Sequence, residues 1–385
     1  MSSGIRAAVR ALLPELRLCA ERAEVNRTPS EEMVAELTAT GLFSMLRPAA
    51  FGGAQAHPLG FFAAVREIAA VCPSTGWAVS FLGITPWHLA RLGPRMCEEV
   101  WAAGPDVLVT ASYAPGGRLE PVDDGYVLRG EWATVPGVEH CDWACLAAVM
   151  ADDSGRPLGL STVVVPCSDL TAEGYWNTTG LRGTGSRRVS VRSAFVPRHR
   201  ARMGTTDPAD DDRTAPMYRC PLSLIYSMAA CMPVVGIAQG AYDYHLARTR
   251  SRAAHSVGGL RSIDDAFAHV AVARAITEID ASVLQLERDL GEAVDLAVDG
   301  TPIPMELRLR ARRDQVRATE RAVEAVDLLA KAAGGHAVQH GVMLERAARA
   351  VRTAAAHLVN NPEQALHQYG RWAYGLGIDD SMIMV

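Results

Sequence analysis

The sequence predicts an α+β protein, mostly α, with an N-terminal helical domain, a central antiparallel β-domain and a C-terminal four-helix bundle. Three observations predict it. Apolar residues recur at helical spacing as far as about residue 103. From Val107 to about Arg200 the period drops to two, and Gly, Pro and Asp turns separate short runs. Beyond residue 218, long segments with helical periodicity follow one another through short loops. The expected boundaries are 1–106, 107–204 and 205–385, which suits a chain of 385 residues.

In the first part, Ile5, Val9, Leu12, Leu13, Leu16 and Cys19 mark one helical face, with Pro14 a possible kink. The run Thr28-Pro29-Ser30-Glu31 reads as a helix start. Thr28 is the expected N-cap, Pro29 the first helical residue and Glu31 the capping-box partner, with the end at Gly41. Helices are expected over 59–71, 74–92 and 94–103. The second of these carries Trp77, Phe81, Trp87 and His88, and Trp77, Phe81 and His88 share a face. Such a stripe suits either plain core or the wall of an apolar pocket with His88 at its rim. Pro86 is expected to disturb the helix there.

Strand candidates are 107–110, 126–132, 143–149, 160–165 and 188–196, with turns at Pro115-Gly116-Gly117, Asp123-Asp124-Gly125, Pro136-Gly137 and Asp152-Asp153-Ser154-Gly155. Before the last strand lies Thr178-Thr179-Gly180-Leu181-Arg182-Gly183-Thr184-Gly185-Ser186. It reads as a glycine-rich loop of hydroxyls and backbone N–H groups, open to a flat or anionic ligand, or simply as a hairpin connection. Residues 110–118, which include Ser112 and Tyr113, and the stretch from Trp132 and Thr134 to Pro136-Gly137 add hydroxyls and bare backbone at strand ends. A flat, hydrogen-bonding heterocycle suits these three stretches.

Residues 205–214 read as a polar, acidic linker. Helices are expected over about 218–250, 262–298, 304–333, 336–359 and 362–373, and a bundle with a face to spare points to a homotetramer or homodimer. The net charge of -5 gives no basic field for nucleic acid, and Lys331 is the only lysine. Eight scattered cysteines without a CxxC pair make a zinc site improbable and suit a reducing compartment. Neither a signal peptide nor a membrane span is expected, which makes the expected location the cytoplasm.

Walker, GxGxxG, HExxH and GxSxG patterns are missing, so hydrolase, kinase and Rossmann readings lose their usual support. The catalytic candidate is His357, at the end of an alanine-rich helix just before Asn360-Asn361-Pro362. An imidazole there can carry a proton, or can merely satisfy a helix C-terminus. His336 and His340 read as loop or cap residues, and His367 is a weaker rival.

Residues 179–186, followed by a strand and Phe195-Val196-Pro197, resemble the flavin-domain signature of the acyl-CoA dehydrogenase superfamily. Gly130-Glu131-Trp132-Ala133-Thr134 is similar to its strand bordering the isoalloxazine ring. The Tyr-Glu-Gly-Thr segment that carries a dehydrogenase glutamate is missing. Cys72-Pro73-Ser74-Thr75-Gly76-Trp77 and the region from Arg352 to Tyr369 instead resemble the two-component flavin-dependent monooxygenases of this fold. Pro136-Gly137 stands where those enzymes often have Ser-Gly, and Thr134 is expected to take over the hydrogen bond.

That resemblance implies reduced flavin (FADH2 or FMNH2) and O2 as cosubstrates, reacting through a flavin C4a-hydroperoxide. It also implies a separate NAD(P)H-dependent flavin reductase and a small, aromatic or secondary-metabolite substrate. By the same resemblance His357 assists substrate deprotonation or orientation. Ser112, Trp132, Thr134, Arg182, Thr184 and Ser186 would hold flavin, and Trp77, Phe81, Trp87, His88 and Tyr113 would line the substrate pocket. The alternatives are an acyl-CoA dehydrogenase or oxidase, an amino-sugar N-oxygenase, and a non-catalytic member of the fold.

Overall fold

Hydrophobic spacing in the first hundred residues becomes five helices: α1 (Ser2–Asn26), α2 (Glu31–Ala39), α3 (Pro58–Val71), α4 (Pro73–Leu92) and α5 (Pro94–Val100). This computed structural model describes residues 2–204, 215–255 and 265–378. The expected linker at 205–214 and the start of the helix expected from 262 lie outside them. The helix expected from Thr28 starts later. Ser30 is its N-cap and accepts a hydrogen bond from the Met33 N–H at 3.2 Å, while Thr28 bonds His140 Nε2 at 3.0 Å. Ser30 competes successfully because two acidic residues, Glu31 and Glu32, then fall in the first turn, where the helix dipole favours them. Helix α5 stops at Val100 rather than 103; Trp101 lies under the guanidinium of Arg47, 4.8 Å from the ring centre.

The strands are β1 (Val109–Val122), β2 (Gly125–Val135), β3 (Trp143–Ala151), β4 (Pro157–Pro166), β5 (Thr171–Tyr175), β6 (Arg187–Pro197) and β7 (Ala201–Met203). They form one sheet in the order β5-β6-β2-β1-β3-β4-β7. The expectation of a purely antiparallel sheet is corrected here: β1 and β3 run parallel, and the other pairs are antiparallel. Alternation and turn residues report that strands exist, not which neighbour each one chooses.

Pro115-Gly116-Gly117 is also no turn. It lies inside β1, where the register against β3 shifts between Ser112 and Gly117. Close packing explains the glycines. A Cβ at Gly117 would stand 2.5 Å from the Trp132 indole, one at Gly116 2.2 Å from the Glu131 carbonyl oxygen, and one at Gly130 2.5 Å from the backbone of Gly116 and Gly117. Trp132 is thus a core residue of the sheet, packed among Leu119, Leu128 and Val189, with Nε1 donating to the Ala147 carbonyl at 2.9 Å.

After the sheet come α6 (Leu222–His255), α7 (Ala266–Val298), α8 (Met305–Ala333), α9 (Met343–Ala355) and α10 (Pro362–Ala373). Helix α6 is long and apolar enough to cross a bilayer, yet 83% of its apolar window is buried inside the protein. It is a core helix, packed on α3, α4, α8 and α9. Helices from both sides of the sheet therefore share one hydrophobic core, which runs from Val9 and Leu16 to Val351 and Val359. At its centre, all of α4 is buried. Pro86 does not break that helix, which continues through it to Leu92.

Candidate active site

Four elements deliver aromatic and imidazole rings to one place. Helix α4 supplies Trp77, Phe81 and His88 from the face that their spacing defines, β1 supplies Tyr113, and α6 supplies Tyr226. His357 follows the end of α9. Ring centroids lie 5.0 Å apart for Trp77–Phe81, 5.7 Å for Trp77–His357 and 5.8 Å for Phe81–His357. The chain of rings continues from His357 to Tyr226 (6.2 Å), Tyr113 (4.7 Å) and His88 (5.3 Å). Trp87 does not join it. One position before His88, Trp87 faces elsewhere and packs against Tyr218 at 4.7 Å in the core.

The turn that holds His357 is built from buried polar groups. Helix α9 ends at Ala355, and His357 has φ -65 and ψ 137, outside helical geometry. Its Nδ1 accepts from the Val359 N–H at 3.3 Å, so the neutral ring carries its proton on Nε2. Asn360 locks the turn: its Nδ2 donates to the carbonyls of Ala230 (3.1 Å) and Ala354 (2.9 Å), and its Oδ1 accepts from Gln315 Nε2 at 2.5 Å. Arg312, itself buried, donates to the Val359 carbonyl at 2.5 Å and to Gln315. Burial, followed by the positive charge of Arg312, lowers the His357 pKa from its ordinary value to about 4. A conjugate acid that strong makes His357 a poor proton acceptor at neutral pH, and its tautomer makes it a donor through Nε2–H.

His88 is not at a rim. It is buried, its Nε2 lies 3.5 Å from Thr162 Oγ1, and burial with the nearby Arg91 charge lowers its pKa to about 3. Both rings stay neutral in the folded protein, whereas an unfolded histidine takes up a proton near pH 6.5. The unfolded chain therefore binds more protons between pH 6.5 and 4, so stability falls as the solution is acidified through that window. The expected loss is about 2 kcal/mol for each of the two by pH 5. Thermal unfolding at pH 7 and pH 5, with His88→Gln as the partner variant, measures it: the variant should lose less on acidification.

The glycine loop is tied down by the protein itself. Gly180 N–H donates to Thr353 Oγ1 at 3.1 Å, and a Cβ there would lie 2.3 Å from the Arg349 carbonyl oxygen of α9. Gly183 N–H donates to Ser74 Oγ at 3.1 Å, and a Cβ there would meet the Ala23 backbone of α1 at 2.6 Å. At both positions it is a helix of the same chain, not a ligand, that demands the missing side chain. Leu181, between them, holds φ +56.

What the loop still offers is polar. Thr184 and Ser186 are buried with their hydroxyls 2.8 Å apart, and Arg182 Nε is buried without a hydrogen-bond partner among the described residues. Ser112 is buried on β1 and Thr134 half-buried on β2. An orphaned guanidinium nitrogen in the same loop as two buried hydroxyls fits a flavin, whose phosphate and ring-edge oxygens accept hydrogen bonds. Trp132 and Trp87 are both buried, with Trp132 Nε1 bonded to the Ala147 carbonyl and Trp87 packed on Tyr218.

Models of two family regions match the chain: the acyl-CoA dehydrogenase N-terminal domain over residues 3–102, and the acyl-CoA dehydrogenase C-terminal domain over residues 228–362. Across 97% of its length the chain is 41% identical to the flavin-dependent monooxygenase oxygenase subunit HsaA of Rhodococcus jostii (strain RHA1), and covers 99% of that protein. The chain belongs to the flavin-dependent monooxygenases of the acyl-CoA dehydrogenase fold. Two solved structures agree with this. A 3-HSA hydroxylase from Rhodococcus sp. RHA1 matches with a TM-score of 0.95 at 40% identity, covering 98% of this chain and 99% of that one. XiaF from Streptomyces, in complex with FADH2 and glycerol, matches with a TM-score of 0.92 at 26% identity, covering 98% and 96%. The monooxygenase works with reduced flavin and O2.

Sequence reasoning missed several members of the site. Tyr226 lies in a mostly apolar stretch of α6 between Ser223 and Ser227, which reads as ordinary helix core. Arg312 and Gln315 lie within Arg308-Leu309-Arg310-Ala311-Arg312-Arg313-Asp314-Gln315, and nothing local separates the buried arginine from its solvated neighbours. Asn360 was visible only as part of a helix stop.

Proposed function

We propose that this monooxygenase hydroxylates a phenol, with His357 donating Nε2–H to the substrate's phenolic oxygen and the rings of Trp77, Phe81, Tyr113 and Tyr226 clasping the aromatic body. The observation that carries the reading is a neutral imidazole whose Nδ1 is occupied, set among aromatic side chains. Hydroxylases of resorcinol and of p-hydroxyphenylacetate among the more distant relatives support a phenolic substrate.

Reduced flavin, when bound, supplies with O2 the oxygen atom that is transferred. The chain's own residues do the rest. Arg182, Thr184, Ser186, Ser112 and Thr134 would hold the flavin. The aromatic rings exclude water and fix the plane of the substrate. A hydrogen bond from Nε2–H favours the phenolate, whose proton passes to solvent before the substrate is enclosed, and the ring carbons beside the oxygen are more electron-rich in the phenolate than in the phenol. Arg312, behind the same turn, adds a positive potential of the same sense.

The reading extends to a separate reductase that delivers the reduced flavin, as the relatives' designation as oxygenase subunits and components suggests. It also extends to a cytoplasmic setting, which eight free thiols suit, and to a homotetrameric or homodimeric assembly. The test supplies purified protein with photochemically reduced flavin, O2 and a panel of phenols, indoles and amino sugars, with no reductase present. Hydroxylated phenol formed in proportion to flavin consumed is the expected result; product from the other classes alone would overturn the reading.

A further inference from the structure

Tyr113 presents a buried group that the packing of the rings does not explain. Its hydroxyl oxygen is inaccessible to solvent and has no hydrogen-bond partner among the described residues. The same is true of His88 Nδ1 on the neighbouring ring, 5.3 Å away between centroids. A phenylalanine at 113 would make the same edge contact with Tyr226 and would avoid stranding a hydroxyl. Buried polar groups left unpaired are uncommon because each loses its bonds to water without replacement. Burial also holds the Tyr113 phenol well above its usual pKa, so it keeps its proton and can donate.

Two polar groups thus stand apart along one run of rings. From His357, Tyr226 follows at 6.2 Å, and Tyr113 lies a further 4.7 Å on. Building on the reading of His357 as the partner of the phenolic oxygen, we propose that Tyr113 donates a hydrogen bond to a second oxygen of the substrate, several ångströms from the first. The substrate class is then narrower than phenols at large: a phenol carrying a remote carbonyl, ether or hydroxyl oxygen. Tyr113 is the residue that distinguishes it from an alkylphenol of equal size, since a site built to bond an oxygen rejects the analogue lacking it far better than apolar surface alone does.

The test compares Tyr113→Phe with the unaltered enzyme on 4-(4-hydroxyphenyl)butan-2-one and 4-butylphenol, which differ only in the carbonyl, using reduced flavin and O2. The unaltered enzyme should favour the ketone in kcat/KM. Tyr113→Phe should lower the ratio of kcat/KM for the ketone to that for the alkylphenol about tenfold or more, and show no drop in melting temperature without substrate. An unchanged ratio of the two substrates would overturn the proposal. So would a loss confined to reduced-flavin affinity in anaerobic titration, because the acceptor oxygen would then be the flavin's. Failure of the unaltered enzyme to hydroxylate either phenol while it still consumes reduced flavin would remove the phenol reading, and this one with it.

Discussion

Replacing His357 with alanine should cut product formation by about 10²-fold or more while reduced flavin continues to be consumed, the difference appearing as hydrogen peroxide. Nothing else in the ring cluster is placed to take over the role. Trp77 and Phe81 pack against the imidazole, and Tyr226 reaches it edge-on, but His357 alone is held by a backbone N–H that fixes which nitrogen carries the proton. The pH profile separates this role from that of a base. A donor with a pKa of about 4 stays competent across the neutral range, so activity should show no step near pH 6.5 that disappears in the variant. Product yield and peroxide, measured per flavin oxidised from pH 5.5 to 8, decide the matter. Unchanged coupling in His357→Ala would take the residue out of the mechanism.

Gly180→Ala should be the most damaging small substitution in the loop. The added carbon would sit 2.3 Å from a backbone oxygen of α9, and backbone cannot step aside as the tip of a side chain can. The surrounding clamp is dense: Arg349 donates to the Thr179 carbonyl at 2.6 Å and reaches Glu24 and Glu345, while Thr178 Oγ1 donates to the Gly180 carbonyl at 2.7 Å. We expect a loss of about 1–3 kcal/mol in stability. Because α9 leads directly into the His357 turn, we also expect poorer coupling of flavin oxidation to product. Gly52→Ala, where a Cβ meets nothing within 4 Å but φ is +79, is the control for backbone strain without a clash. Equal melting temperatures for Gly180→Ala and the parent would show that α9 yields.

The fold class was legible because it rests on period. Helical spacing and strand alternation persist over enough residues to outweigh local ambiguity, as the face shared by Trp77, Phe81 and His88 shows. The parallel pairing of β1 with β3 was not legible, since strand partners are chosen by packing across the whole sheet. Glycines were the misleading signal. Gly117 makes room for an indole, Gly116 and Gly130 for the backbone of the neighbouring strand, and Gly180 and Gly183 for helices, yet a sequence shows only that space is needed and not who fills it. His357 could be placed at a helix end, before a proline-marked stop. Its proton state could not, because that state depends on Val359, Arg312 and burial by residues more than a hundred positions away.

The single core that joins α1 to α4 with α6 to α9 sets an order of events during synthesis. When the first hundred residues leave the ribosome, the partner that α3 and α4 require is still more than a hundred residues behind them. Those helices wait with apolar flanks uncovered, whereas the sheet, whose strands find one another within about ninety-five residues, has all its pairing partners at hand as soon as β7 emerges. The middle of this chain is therefore equipped to settle before its beginning, and the beginning needs shelter, from a chaperone or from the surface of the exit tunnel, until α6 arrives.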